Sequence, residues 1–213
     1  MRTHRNYLFA EPDLDGQLRK RQRQAAAKVD DIPEAEFLNS SDEEVLERVV
    51  PQMQVTPITL RLDARTFSQT ETKVDVSGDP RRFLGPGHRG PFMVPGTRAD
   101  IDIPFVGDAW VFRYRTDPYP TIFPRGEIKE EALRISVELP HDAERDKFIE
   151  TYDREIGLIK ECVDRARVQI AGYNESLEAL VREAVTNRRA RLGEHAGLAD
   201  LFDIPPTENG DTG

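Results

Sequence analysis

An apolar stripe from Ile149 to Asn187 constrains this chain more than any other feature. Ile149, Tyr152, Ile156, Ile159, Val163, Ala166, Ile170, Tyr173, Leu177, Leu180, Ala184 and Asn187 follow in alternating steps of three and four, and only Asn187 is polar. That spacing puts the side chains on one narrow face of a helix, the seam of a seven-residue repeat. A straight helix over this span is about 58 Å long at 1.5 Å per residue. It needs cover along much of its length, from another helix or from another subunit. A rival reading is an antiparallel pair of shorter helices, broken at Gly157 or at Ala171-Gly172. The residues expected to carry an interaction are Ile156, Ile159, Val163, Ile170, Tyr173, Leu177 and Leu180. The expected partner is a second copy of the chain or a separate effector protein.

With 213 residues and a formal net charge of −9, the chain can bury a real core and is not a general polyanion binder. Residues 1–10 run straight into Glu11, Pro12 and Asp13 without the apolar core of a signal peptide. No stretch approaches the roughly 18 apolar residues of a membrane span, so a cytoplasmic protein without membrane contact is expected. The one cysteine, Cys162, excludes an intramolecular disulfide and argues against a thiolate zinc site. Beside Val163 on the long helix, it reads as a packed small residue rather than a nucleophile.

The period of the pattern changes along the chain. Leu14, Leu18, Ala25 and Val29 share a helical face over residues 13–29, with Arg19, Lys20, Arg21 and Arg23 around it. Ser41-Asp42-Glu43-Glu44 has the form of a capping box ahead of Val45, Leu46, Val49 and Val50, and Pro51 is expected to stop that helix. From Val55 the alternation is of period two: Ile58, Leu60 and Leu62; Val74 and Val76; Ile101, Ile103 and Phe105; Trp110, Phe112 and Tyr114; Leu133, Ile135, Val137 and Leu139. Short connections favour an antiparallel meander over βαβ units. The expected fold is therefore α+β. It comprises an N-terminal helical segment (1–54), an antiparallel β domain (55–140) with a Gly/Pro-rich loop at 78–96, a long C-terminal helix or helical hairpin (141–193), and a tail (194–213) whose last part is expected to be disordered.

Candidate chemistry is sparse. Asp100 or Asp102 followed by Glu127-Ile128-Lys129 repeats the order seen in metal-dependent nucleases of the PD-(D/E)xK type, where two carboxylates hold a divalent cation and a lysine steadies the attacking water. Alternating charges on a solvent-facing hairpin are the plainer reading of the same residues. Arg81, Arg82 and Arg89 give the 78–96 loop local positive charge, which suits an acidic partner or nucleic acid; no Lys-Ser/Thr follows its glycines as in a phosphate loop. A second basic cluster, Arg182 with Arg188, Arg189 and Arg191, reads as complementing the C-terminal dipole of the long helix. The four histidines are far apart and show no ligand spacing. No cofactor and no metal site is expected.

Several phrases occur in a set order: residues 74–81 (VDVSGDPR), 94–97 (VPGT), 103–108 (IPFVGD), 124–128 (PRGEI), 173–177 (YNESL) and 188–192 (RRARL). Together, over residues 35–205, they resemble a widespread bacterial module that precedes effector domains such as Mrr-like restriction endonuclease or TIR-like domains. The resemblance implies a regulatory, sensing or scaffold unit of a restriction or phage-defence system whose chemistry resides elsewhere. It transfers no catalytic residue. Because the chain stops soon after Pro206, it implies either an effector on a separate protein or a chain that acts alone. A divalent-metal nuclease and a nucleic-acid-binding adaptor are the alternatives.

Overall fold

A computed structural model describes residues 7–79, 82, 90–118 and 120–201, with side chains as far as residue 194. The strands are β1 (Glu11–Asp13), β2 (Thr59–Leu60), β3 (Thr66–Asp75), β4 (Met93–Val106), β5 (Tyr114–Arg115), β6 (Glu127–Lys129) and β7 (Ala132–Pro140). The helices are α1 (Leu14–Asp30), α2 (Glu34–Asn39), α3 (Asp42–Met53) and α4 (Asp146–Leu201). The fold is α+β with a mostly antiparallel sheet. Two compact units result: Met1–Gln17 with Val55–Ala171, and Leu18–Gln54 with Gly172–Gly213.

This division corrects the expected segments. The chain ahead of α1 belongs with the strands, because Leu8 N–H donates to the Pro124 carbonyl (2.9 Å), Phe9 N–H donates to the Phe112 carbonyl (2.6 Å), and β1 runs parallel to β5. In the same unit β4 is the central strand, with β2 and β3 along one side and β7, then β6, along the other, all antiparallel. Alternation gives the sheet two unlike faces. Ala99, Ile103, Phe105, Leu133, Ile135 and Val137 are buried on one, and Arg98, Asp100, Asp102, Arg134 and Ser136 occupy the other. Ile156, Ile159, Cys162, Val163, Ala166 and Ile170 of α4 are buried in this unit.

The Trp110, Phe112, Tyr114 alternation does not form the expected strand. Ala109–Arg113 is a 3₁₀ helix, and its neighbours Val111 and Phe112 are both fully buried. Gly107 (φ 111°) turns the chain out of the sheet. Asp108 then clamps the turn, its carboxylate accepting from Thr56 N–H (2.7 Å) and its own N–H donating to the Thr56 carbonyl (2.9 Å). The Phe112 ring ends 5.1 Å from Phe105 and 5.8 Å from Phe9, so aromatic packing holds what alternation suggested would be a ladder.

The second unit is helical. The capping box of α3 forms as expected: Ser41 Oγ accepts from Glu44 N–H (3.2 Å), and the Glu44 carboxylate accepts from Ser41 N–H (2.7 Å). Pro51 does not stop α3, which continues to Met53. Tyr173 Oη–H (2.8 Å) and Arg21 Nη2 (3.2 Å) both donate to the Met53 carbonyl, supplying partners at that helix end. The short helix α2, unannounced by any run of periodic residues, buries Phe37 completely.

α4 is one helix, not a hairpin, and runs over Asp146–Leu201 rather than 141–193. Its stripe is covered by the chain itself. Ile156, Ile159, Val163, Ile170, Tyr173 and Leu177 are at most 6% exposed, which removes them as a seam between subunits. Beyond Leu177 the buried face continues through Val181, Val185 and Arg188, whereas Leu180 and Ala184 are half-buried and Asn187 is exposed. An undistorted helix turns every 3.6 residues and drifts by about 20° per heptad from a 3.5-residue seam. Within one helical unit nothing forces the tighter frame. Leu177→Lys is therefore expected to unfold the protein rather than release folded monomers, and Leu177→Ala to cost about 2–5 kcal/mol. Urea denaturation combined with sedimentation distinguishes the two outcomes.

Candidate functional site

The charged face of the sheet brings the candidate catalytic residues together. Asp102 lies opposite Arg134 on β7, Arg134 lies opposite Glu127 on β6, and the two-residue step places Asp100 and Lys129 on the same face. A guanidinium occupies the middle of this array. Arg134 Nε and Nη2 each donate to an oxygen of Asp102 at 2.6 Å, and Arg134 Nη1 stands 3.7 Å from Asp100. Asp100 Oδ1 accepts from Arg98 Nε (2.8 Å) and Ser136 Oγ (2.6 Å). Lys129 Nζ is paired with Glu127 at 3.3 Å. A divalent cation would have to displace Arg134 from Asp102 before reaching the carboxylates, so the residues present do not fit a two-carboxylate metal site. Among the described residues no group of three or more His, Cys, Asp and Glu is arranged to hold a metal ion.

The ionisation of these aspartates follows from their partners. The bidentate hydrogen bond from Arg134 lowers the Asp102 pKa against the opposing effect of burial. For Asp100, burial alone would raise it, but the bonds from Ser136 and Arg98 and the charges of Arg98 and Arg134 outweigh burial and lower it. Both folded-state values lie below that of an unfolded aspartate, about 3.9. Their stabilising contribution is therefore complete above that range and is lost as the pH falls through the folded values. Two measurements check this: Arg134→Leu should lower the urea midpoint at pH 7, and Asp102→Asn should flatten the acid limb of stability below pH about 4 in a pH series of urea unfolding curves.

Other candidates are absorbed into packing. Cys162 is buried, and desolvation pushes its thiol pKa up to about 11, which leaves it protonated at neutral pH. Arg82 is held by Asp142 (2.5 Å) and lies 3.7 Å from Asp79; Arg81 and Arg89 lie outside the described residues. The second basic cluster does not sit in the last turn of α4, which continues to Leu201. The macrodipole explanation is replaced by direct bonds within the helical unit. Arg188, only 7% exposed, donates to the Val29 and Ile32 carbonyls and lies 4.2 Å from the Phe37 ring centroid. Arg189 donates to Asp42 (2.6 Å) and to the Ser40 carbonyl (2.6 Å), and Arg191 pairs with Asp30 (2.6 Å). Arg188→Lys keeps the charge but loses the planar fork, and is expected to lose about 1–3 kcal/mol of stability in urea titrations.

On the opposite face of the sheet the first turns of α4 leave a groove of about 900 Å³. Ala99, Ile101 and Val137 form its floor, and Phe148, Ile149 and Tyr152 its helical wall. Burial raises the Tyr152 phenol pKa, with Arg65 acting in the opposite direction. Phe67 (64% exposed) and Ile149 (61% exposed) stand at the mouth. Arg65 and Arg145 also line the groove, with Asp153 as the one carboxylate among its lining residues. Sequence reasoning missed this surface, although two signals were present: small Ala99 within the apolar alternation of β4, and a stripe that begins at Ile149 and Tyr152 before the tightly buried positions. No family model, curated protein or solved structure matches the chain.

Proposed function

We propose that this protein is a non-enzymatic interaction module, a regulatory or sensing unit of a bacterial restriction or phage-defence system, which receives an acidic, apolar peptide segment of a separate effector protein in the groove beneath the start of α4. The observation that carries this reading is the exposure of Ile149 at the mouth of an apolar concavity. Two arginines and one aspartate in the lining give it a net positive rim, which suits carboxylates flanking an apolar anchor. The setting in defence rests on the ordered phrases of residues 35–205 and the effector-linked module they resemble.

Selection of short peptides from a displayed library on the purified protein tests the proposal. The expected binders pair an aromatic or aliphatic anchor with acidic residues and lose about tenfold or more in affinity on Ile149→Asp, a loss of at least about 1.4 kcal/mol. Circular dichroism should show that this exposed substitution leaves the fold intact. Binders without the acidic, apolar pattern, or binders indifferent to Ile149→Asp, would remove the groove reading.

One observation favours a reading of a different class: Asp100, Asp102, Glu127 and Lys129 share a face of the sheet. Arg134 and Arg98 weigh against it, since they already occupy the aspartate oxygens. The expected result is no cleavage of plasmid DNA by the purified protein with Mg²⁺ or Mn²⁺. Cleavage that disappears in Lys129→Ala would install the nuclease in place of the interaction module.

A further inference from the structure

β3 is ten residues long, contains neither proline nor glycine, and among the described strands pairs only with β4. Its register with β4 is uninterrupted from Thr66 to Asp75, and Thr66–Glu71 are exposed on both faces. Three bonds fix which way its backbone points. Val76 N–H donates to the Phe92 carbonyl (2.9 Å), continuing the β3–β4 register with an even-numbered residue of this strand. On the far side of β4, His141 N–H donates to the Pro95 carbonyl (3.2 Å) and Phe105 N–H to the Glu131 carbonyl (3.0 Å), so odd-numbered residues of β4 face β7. Even residues of both strands therefore bond across the β3–β4 ladder. The N–H and C=O groups of Phe67, Gln69, Glu71 and Lys73 consequently point away from the sheet.

We infer that this edge pairs antiparallel with β3 of a second copy of the chain, in a register centred on Thr70. Complementarity selects the occupant and the register. Centred on Thr70, the ladder runs from Thr66 to Val74 in both copies, sets Lys73 of each copy over Phe67 of the other, and places Gln69 opposite Glu71. The contact is isologous, each surface meeting itself. Its lysine stem and ammonium cover the exposed Phe67 ring. A shift of the centre to Glu71 brings two carboxylates face to face, and a shift to Gln69 sets Arg65 against Lys73; like charges directly opposite are unfavourable. Edge strands are ordinarily blunted by proline, by bulges or by a lysine that meets no counterpart. Here Lys73 has a counterpart, and it lies on the second copy.

The inference deepens the interaction-module reading by naming a partner, but it is tested on the purified chain alone, so its failure leaves the peptide-binding result untouched and the reverse holds too. Sedimentation equilibrium of the full chain is expected to show a reversible dimer. Glu71→Pro removes an outward N–H and leaves the bonds to β4 in place, so it should weaken the dimer by about tenfold or more with thermal unfolding otherwise preserved. Thr70→Cys falls on the two-fold axis as a close, non-hydrogen-bonded pair and should form a disulfide-linked dimer with oxidised glutathione, while Ser68→Cys should not. Buried Cys162 supplies no competing thiol. A chain that stays monomeric at all concentrations overturns the proposal. So does a dimer that ignores Glu71→Pro, or a Thr70→Cys variant that cross-links no faster than Ser68→Cys.

Discussion

A helix of 56 residues carrying one apolar stripe cannot be stable in water by its own hydrogen bonds, and the burial of that stripe is the constraint from which the remaining architecture follows. The buried positions of α4 fall in both compact units. In the sheet-containing unit Ile156, Ile159, Val163 and Ile170 are buried, and in the helical unit Tyr173, Leu177, Val181 and Val185 are. A helix used as a core element in this way has no seam left to offer along those positions. The interaction proposed for this protein is therefore placed on surfaces that the covering elements leave open.

The charged residues show how arginine serves the fold. Arg188 is buried with main-chain carbonyls and the face of Phe37 as its hydrogen-bonding and cation–π partners. It supplies donors to the Val29 and Ile32 carbonyls at the end of α1, where the regular helical ladder runs out. Arg134 and Arg98 hold Asp100 and Asp102 in their ionised forms on the open face of the sheet. What reads along the chain as clustered basic charge and paired acidic charge becomes, in space, fork-shaped donors matched to oxygen acceptors. Both clusters are thereby engaged in bonds within the chain.

Among the described residues, the groove and the free edge both arise at β3 and β4. The groove exists because Ala99 is small where its strand neighbours are large, and because α4 starts over the sheet with Phe148, Ile149 and Tyr152 facing that gap. The free edge exists because β4 spends its other side on β7, leaving β3 without an outer neighbour among the described strands. An exposed apolar mouth and an unpaired edge are features that folding alone does not require, and they carry the binding role proposed for the protein.

Local signals decided much of the architecture. Period-two alternation located the cores of β4 and β7, the Ser41–Glu44 box located the start of α3, and the stripe located α4, because each is written in contiguous residues whose spacing matches a backbone repeat. Tertiary structure decided the rest. The pairing of β1 with β5 joined Glu11–Asp13 to a segment about a hundred positions away. The aromatic packing of Phe112 overrode a strand-like pattern. The 3.6-residue turn of a helix covered by its own chain moved the buried face from Leu180 and Ala184 to Val181 and Val185. The candidate site divides in the same way. Residue order announced the acids and bases of Asp100, Asp102, Glu127 and Lys129, but only their placement revealed Arg134 among them, because cross-strand register depends on which strands pair. The groove left almost no trace in the sequence, since a concavity is made by what several distant elements fail to fill.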